Sequence, residues 1–351
     1  SYNIGADFGI FNNKLWGSFD YFIRNTKNMV GNAPELPSIL GTGVPVTNNT
    51  DLRTTGWEVQ IGWRDQLSNG LSYSATFNLS DARTKITRYP NNPTGDLGRR
   101  LVGHYTNEIW GYETIGIAKS QEEMDAHLAK VDQSYLGSNW GAGDIMYADL
   151  NGDGRIGQGA NTLADHGDKK LLGNSTPRFL FGLDLNANWK GFDIRMFFQG
   201  VMKRDIWTGG ASQWLFGSTG DTWGACGLTS VQDYYRDENT WSVQNGYREV
   251  NQDAWLPRVY LGSKNTQAQS RYILNGAYMR MKNLQVGYTI PQRVTGKFGV
   301  KNLRVFFSDE NLFTFSSLPE QFDPETVGED ASRNNGYPLS RTYSFGLNLS
   351  F

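Results

Sequence analysis

A single cysteine, Cys226, stands in 351 residues. It excludes an internal disulfide framework and cannot be half of a CxxC motif. A plain buried or loop thiol is the reading it supports, rather than a catalytic one. Histidine is nearly as scarce, with only His104, His127 and His166. None stands in an HExxH spacing or a Ser/His/Asp pattern. Acidic pairs are plentiful enough that counting alone does not exclude a glycosidase dyad, but nothing else points to an enzyme. There is no Lys/Arg-rich run and the formal charge is −2, so no nucleic-acid partner is expected. No apolar run approaches the ~20 residues of a spanning helix. The opening Ser-Tyr-Asn-Ile has neither a basic n-region nor a hydrophobic h-region, so it is not a signal peptide. If the protein is exported, its targeting segment is expected upstream, and the chain is expected to be a fragment.

What is abundant points to sheet. Aromatics make up 13% of the chain, with 11 Trp and 17 Tyr, beside 41 Gly. That mixture suits many tight turns and amphipathic aromatic anchors, in a sugar-binding surface or a membrane girdle. With charged residues at only 19% and no apolar helix, a membrane role would require a barrel, the other structure that satisfies every backbone group in lipid.

Alternation of period two recurs in nine runs, each about the ~10 residues of a tilted membrane strand. They begin with Tyr2 to Ile10, Leu15 to Ile23, Trp57 to Trp63 and Leu71 to Leu79. Phe181 to Trp189, Phe192 to Phe198, Tyr278 to Tyr288, Leu303 to Phe307 and Tyr343 to Phe351 follow. Alternate positions are small or polar, as in Asp184, Asn186 and Asn188, or Ser344, Gly346, Asn348 and Ser350. Phe345, Leu347 and Leu349 are thus expected to face lipid, and Asn348 and Ser350 the lumen. A soluble sandwich alternates in the same way. The connections distinguish the two, because they are short and long in strict turn. Asn12 to Lys14, Leu67 to Gly70, Lys190-Gly191 and Pro291 to Lys301 are the short or moderate ones. The long ones run from Ile23 to about Leu52, over 86–177 and 203–273, and from Ser316 to Ser340. Outer-membrane barrels keep short turns on the periplasmic side and long loops outside. The last strand must then run inward, with Ser1 at the outer rim. Because bacterial barrels have even strand counts, an odd number of strands is expected upstream.

Several segments resemble the SusC/RagA group of TonB-dependent transporters. They are "FDYFIRNTKNMV" (Phe19 to Val30), "GDIMYADLNGDGRI" (Gly143 to Ile156) and "LLGNSTPRFLFGLDLNANWKGFDIRMFFQG" (Leu171 to Gly200), followed by "YMRMKNLQVGYTIP" (Tyr278 to Pro291) and "LRVFFSDENLFTFS" (Leu303 to Ser316). "FDPE" (Phe322 to Glu325) and the closing "YPLSRTYSFGLNLSF" (Tyr337 to Phe351) complete the order. The resemblance implies an all-β transmembrane antiparallel barrel of about 22 strands, of which residues 1–351 would supply about nine C-terminal ones. It further implies an upstream plug domain, a TonB-contacting segment and a SusD-like lipoprotein lid. The place would be the outer membrane of a Gram-negative bacterium, among its lipids. The cargo would be an oligomeric nutrient, glycan or peptide.

Asp149-Leu-Asn151-Gly-Asp153-Gly154-Arg-Ile156 looks like the first half of an EF-hand loop, with oxygen ligands at positions 1, 3 and 5 for a structural calcium ion. Position 12 is Ala160, for which Asn161, Asp165 or Asp168 would have to substitute. The alternative is an Asx/Gly turn without an ion. Tyr343, Phe345 and the terminal Phe351 resemble the signal read by the barrel-insertion machinery. Loop aromatics Trp110, Tyr112, Trp207, Trp214, Trp223 and Trp241, with Trp140 and Trp255, are candidates for contact with substrate or lid, or for packing within the loops. Trp16, Trp57, Trp63 and Trp189 are expected in membrane girdles. Ser120 to Val131 reads as a helix, with Ser120 as N-cap and Glu123 closing a capping box. The competing functions are a passive porin or surface adhesin barrel and a soluble carbohydrate-binding protein.

Overall fold

The computed structural model describes residues 1–33, 39, 41, 43–207, 209, 232–260, 262–327 and 338–351. In chain order its strands are β1 (Tyr2–Ile10), β2 (Leu15–Asn32), β3 (Val46–Gln66) and β4 (Ser72–Arg88), then the short β5 (Glu108–Tyr112), β6 (Thr114–Ile117), β7 (Ile145–Tyr147) and β8 (Lys169–Asn174). Next come β9 (Arg178–Trp189), β10 (Phe192–Lys203), β11 (Asp205–Ile206), β12 (Leu274–Asn275) and β13 (Tyr278–Ile290). The last are β14 (Asn302–Glu310), β15 (Thr314–Ser316) and β16 (Thr342–Ser350).

Nine long strands form one antiparallel sheet in the order β1-β2-β3-β4-β9-β10-β13-β14-β16, with β15 continuing on β13. Each neighbours its sequence predecessor among the nine, so turns and loops fall on alternate rims. Register carries the alternation from strand to strand. Ala6 opposes Phe19, which opposes Val59, then Leu79 and Phe181. Farther along, Ile194 opposes Val286, then Phe307 and Phe345. The other face is polar, as in Ser18–Gln60–Asn78 and Asn186–Arg195–Gln285–Ser308–Ser344. The apolar rows have no protein layer over them. Phe345 is 86% exposed, and Ile4, Leu347 and Phe351 are exposed with it. A sheet that turns a band of apolar rows outward is stable where lipid covers that band.

Two expectations are corrected. The segment from Ile23 to Leu52 is mostly strand, since β2 runs on to Asn32 and β3 starts at Val46. Beyond the membrane both faces of a hairpin are wet, so the ladder continues without a hydrophobic alternation to announce it. Trp16 pairs with Gly62 on the polar face, not in a girdle. Leu15 and Gly17 set the outward parity of β2, and a one-residue step reverses the face. Trp57, Trp63 and Trp189 do lie in outward rows.

The packed core lies outside the sheet. Residues 89–177 and 204–277 connect β4 to β9 and β10 to β13, and their described residues fold together as a cap. Tyr112, Ile145, Tyr147 and Ile156 form one buried cluster; Ala118, Met124 and Met146 form a second. A third joins Ile206, Leu256, Tyr272 and Leu274 to Leu318, Phe322 and Val327. Helix α1 (Gln121–Leu128) belongs to this cap. Ser120 Oγ accepts from the Glu123 N–H at 3.2 Å, as an N-cap should. The return bond goes one residue farther back, since Glu123 Oε2 accepts from the Lys119 N–H at 2.6 Å.

Candidate functional site

The inward face of the sheet is the wall of the lumen. The wall is wet and carries paired charges. Arg195 Nη2 donates to Asp184 Oδ2 at 2.8 Å. Arg304 reaches Asp193 through Nε at 2.9 Å and Gln285 Oε1 at 3.1 Å. Near the short-turn rim a cavity of about 570 Å³ is lined by Asn13, Arg64, Ser72, Ser74, Asn186 and Asn188. Higher up, a cavity of about 440 Å³ mixes Asn78, Gln199 and Arg204 with the apolar Leu180, Phe197 and Val201. Polar amides, hydroxyls and a few charges facing a space suit a hydrated, hydrogen-bonding solute.

The cap is held together by contacts between its two connections. Thr114 Oγ1 donates to Gln269 Oε1 at 2.6 Å, the Tyr112 N–H to Ala268 O at 2.8 Å, and Tyr147 Oη to Lys264 O at 2.6 Å. At the centre lies Asp144, 0% exposed. Its carboxylate accepts from Arg258 Nε, Lys264 Nζ and Asn265 Nδ2, each at 2.8 Å, and from the Gly141 N–H at 2.9 Å. Lys264 is 1% exposed and also lies 4.0 Å from the Tyr260 ring centroid. Burial pushes its amine below the ordinary lysine value, against the pull of Asp144.

A second network ties the connection between β15 and β16 to the sheet, through residues that sequence reasoning did not single out. Arg280, in "YMRMKN", donates to Asp323 Oδ2 at 2.9 Å and to Glu325 Oε1 at 2.6 Å, both in "FDPE". Lys282 adds a contact to Glu325 at 3.1 Å. Two segments quoted separately for their family resemblance are thus one buried ion-pair network. Burial works against ionisation of Asp323, yet the Glu325 N–H and the Arg280 guanidinium hold its carboxyl below the usual range.

The loop aromatics divide by environment. Tyr112 is a core residue at 2% exposure, its ring 5.6 Å from Tyr147. It is not presented to a ligand or lid, because the apolar body of the ring fills the centre of the cap. Burial pushes its phenol well up. Trp207 stacks on Tyr272 at 6.2 Å and packs against the cluster below it. Trp255 meets Tyr272 edge-on, and Trp140 meets Tyr147 edge-on while donating to Gly137 O at 3.0 Å. Trp110 sits between the rings of His104 and His166, at 6.2 and 6.0 Å, with its indole N–H buried and unpaired. Trp241 alone of the described candidates is open, 68% exposed and stacked on Tyr247 at 5.5 Å. Trp214, Trp223 and Cys226 lie outside the described residues.

Asp149, Asn151 and Asp153 sit in a hydrogen-bonded turn. Asp149 accepts from the Gly152 N–H at 2.6 Å and the Gly154 N–H at 2.8 Å. The Gly154 bond leads the effects that hold its carboxyl below the usual range. Asn151 Oδ1 accepts from the Asp153 N–H at 3.0 Å, and Asp153 Oδ1 from the Arg155 N–H at 2.8 Å. Asp168, fully buried, closes the turn from below by accepting from Leu150 and Gly157. Among the described residues no three His, Cys, Asp or Glu side chains are grouped to hold a metal. These bonds are those of an Asx/Gly turn. Each oxygen that takes one N–H keeps a second lone pair. His104, His127 and His166 are engaged by Glu108, Gln133 and Gly167. Tyr343, Phe345 and Phe351 are exposed on the outward side of the last strand.

No protein-family model matches the chain. Curated proteins do. TonB-dependent receptor P3 of Formosa agariphila is 28% identical over 371 residues, covering 99% of this chain and 34% of that protein. TonB-dependent receptor SusC of Bacteroides thetaiotaomicron is 23% identical over 362 residues, covering 100% of this chain and 32% of the relative. The chain therefore spans about a third of the length of the curated relatives it matches. In fold it is similar to the RagAB peptide transporter, with a TM-score of 0.68 at 21% identity over 99% of this chain and 35% of that one. An open-open form of RagAB gives 0.69. The outward apolar rows, the alternating turns and loops, and whole-chain similarity to these receptors agree: the chain has the outer-membrane barrel fold of SusC-like TonB-dependent receptors, to which it is similar throughout.

Proposed function

We infer that the chain forms part of an importer that takes up an oligomeric nutrient, a glycan or a peptide, under TonB power and beneath a SusD-like lipoprotein lid. The reading is one of transport and not of catalysis. The observation that carries it is the hydrated, charge-paired inner wall together with a folded two-loop cap. Such a wall suits a solute with many hydrogen-bonding groups, and a cap of this size offers a partner more surface than bare turns would. Plug, TonB contact and remaining strands would be supplied by an upstream portion, and barrel insertion by machinery reading Tyr343, Phe345 and Phe351. The test is uptake of labelled oligosaccharides and oligopeptides by cells carrying the full-length protein, with and without TonB. Uptake that stops without TonB supports the reading. Uptake that persists identifies a passive porin instead.

The Asp149 turn is proposed as a structural calcium loop, held by Asp149, Asn151 and Asp153 through their free lone pairs, at about 2.3–2.6 Å. Titration of calcium into the full-length protein after chelation tests it. Saturable binding lost in Asp149→Ala supports the loop. Identical thermal stability and no heat of binding with and without calcium leave a bare Asx turn.

A further inference from the structure

The outward face of β2, β3 and β4 changes character along its length. From the short-turn rim its rows are Leu15–Trp63–Ala75, Gly17–Ile61–Phe77, Phe19–Val59–Leu79 and Tyr21–Trp57–Asp81. At about 3.4 Å per residue, Trp63 and Trp57 sit roughly 20 Å apart along β3. That spacing fits an apolar band about 25 Å tall between aromatic girdles. Past Trp57, toward the loop rim, the same face continues as Ile23–Thr55–Arg83 and then Asn25–Arg53–Lys85. Tyr105 bridges to Lys85 and joins this face, and the Arg83 guanidinium lies 3.4 Å from its ring centroid.

Among the described residues these cations are in no ion pair, although Asp81 acts on Arg83 at longer range. Arg53 donates to Asn25 Oδ1 at 2.9 Å, and no carboxylate among the described residues pairs with Arg53, Arg83 or Lys85. Asp81, one row below, is already taken by a two-armed ion pair with Arg178. Arg53 and Lys85 are moreover directly opposed in the ladder, an arrangement that repels unless an anion lies between them. Beside them Arg83, Arg178 and Lys203 line a cleft of about 230 Å³. Its acids Glu108 and Asp205 are hydrogen-bonded by His104, the Tyr105 N–H and the Asn174 N–H, and Arg178 is paired with Asp81, so Arg83 and Lys203 are the lining cations in no ion pair among the described residues. At the other rim the corresponding charge is neutralised, since Asp65 pairs with Lys14 at 2.7 Å.

We propose that Arg53, Arg83 and Lys85, with the adjoining cleft, bind the phosphate groups of an anionic lipid in the outer leaflet around the barrel. The patch is continuous with the lipid-facing rows and sits just beyond a girdle, at headgroup depth. A phosphate held there would lay its acyl chains down over Leu79, Val59 and Phe19. Arg83, flat on Tyr105, presents a pre-oriented planar fork to phosphate oxygens. The inference rests on the barrel's place in the outer membrane and not on the transport reading.

The test uses the full-length protein in detergent and native mass spectrometry, with three probes: diphosphorylated lipid A, its dephosphorylated form, and inorganic phosphate. The wild type should retain the diphosphorylated lipid, and the Arg53→Ala/Arg83→Ala/Lys85→Ala variant should retain it roughly tenfold less or weaker still. Lys85→Arg should retain it like the wild type. Equal retention of the dephosphorylated lipid overturns the proposal, as does undiminished binding by the triple variant. Displacement by inorganic phosphate at equal concentration also overturns it, by showing a site for a soluble anion. Should the triple variant lose its heat-modifiable fold, exposed Lys85→Gln alone carries the test, with a several-fold loss expected. TonB-dependent uptake is measured separately in the same variants and is expected to be unchanged, so the two readings fail independently.

Discussion

Asp144 joins the two connections of the cap at one buried point. It neutralises Lys264 and Arg258 with no solvent access of its own. Asp144→Ala leaves a buried amine and a guanidinium without their anion, at a cost of about 3–5 kcal/mol. Hydrogen exchange should show protection lost over 141–147 and 258–265, with the sheet unchanged. Unchanged protection there would refute the role. The sequence did not announce this residue, because its three side-chain partners lie more than a hundred positions away and no local pattern marks a buried charge. The same holds for the aromatics. Tyr112 and Trp241 look alike as loop residues, and only the packing of β5 against the second connection separates a core ring from an open one. Ser120, by contrast, was legible as a cap, since capping chemistry is local.

At the scale of the element, β16 sets its faces by alternation alone. Leu347 opposes Val305 in an outward row, and Leu347→Arg should cost about 2–4 kcal/mol near the midplane, read as lost folding yield in lipid. A wild-type yield would reverse the assignment. The link between β13 and the "FDPE" segment has a pH signature. Asp323 titrates lower in the folded protein than its unfolded value of about 3.9. Its contribution is therefore complete above that value and is lost as pH falls through the folded one. Protease resistance of 317–327 should decline as pH drops below about 4, and Asp323→Asn should flatten that decline. Strand number, order and face were readable because lipid enforces a period of two. The outer halves of β2 and β3 were not, because water on both sides removes the constraint while hydrogen bonding keeps the strand.

Taken whole, the sheet ends at β1 and β16, which do not pair with each other. Unpaired N–H and C=O groups in lipid cost several kcal/mol each, so the arc needs strands beyond these two. Residues 1–351 produced alone are expected to give no heat-modifiable barrel, and to give one when the rest of a full-length protein is supplied. A protease-resistant barrel from the fragment alone would contradict this. The inner wall has one more property that bears on passage. Trp16, Phe22 and Phe306 all point inward, and each lies opposite a glycine on the next strand: Gly62, Gly56 and Gly346. A Cβ at any of the three would collide with the facing ring. Gly62→Val should thus push the Trp16 indole off the wall and destabilise the barrel by about 1–3 kcal/mol, visible as a lowered unfolding temperature. Each ring lies in the space that the missing side chain leaves, so these three add almost nothing to the wall's roughness. Cargo would slide past flat aromatic tiles set flush with the surface, not around posts that stand in its way.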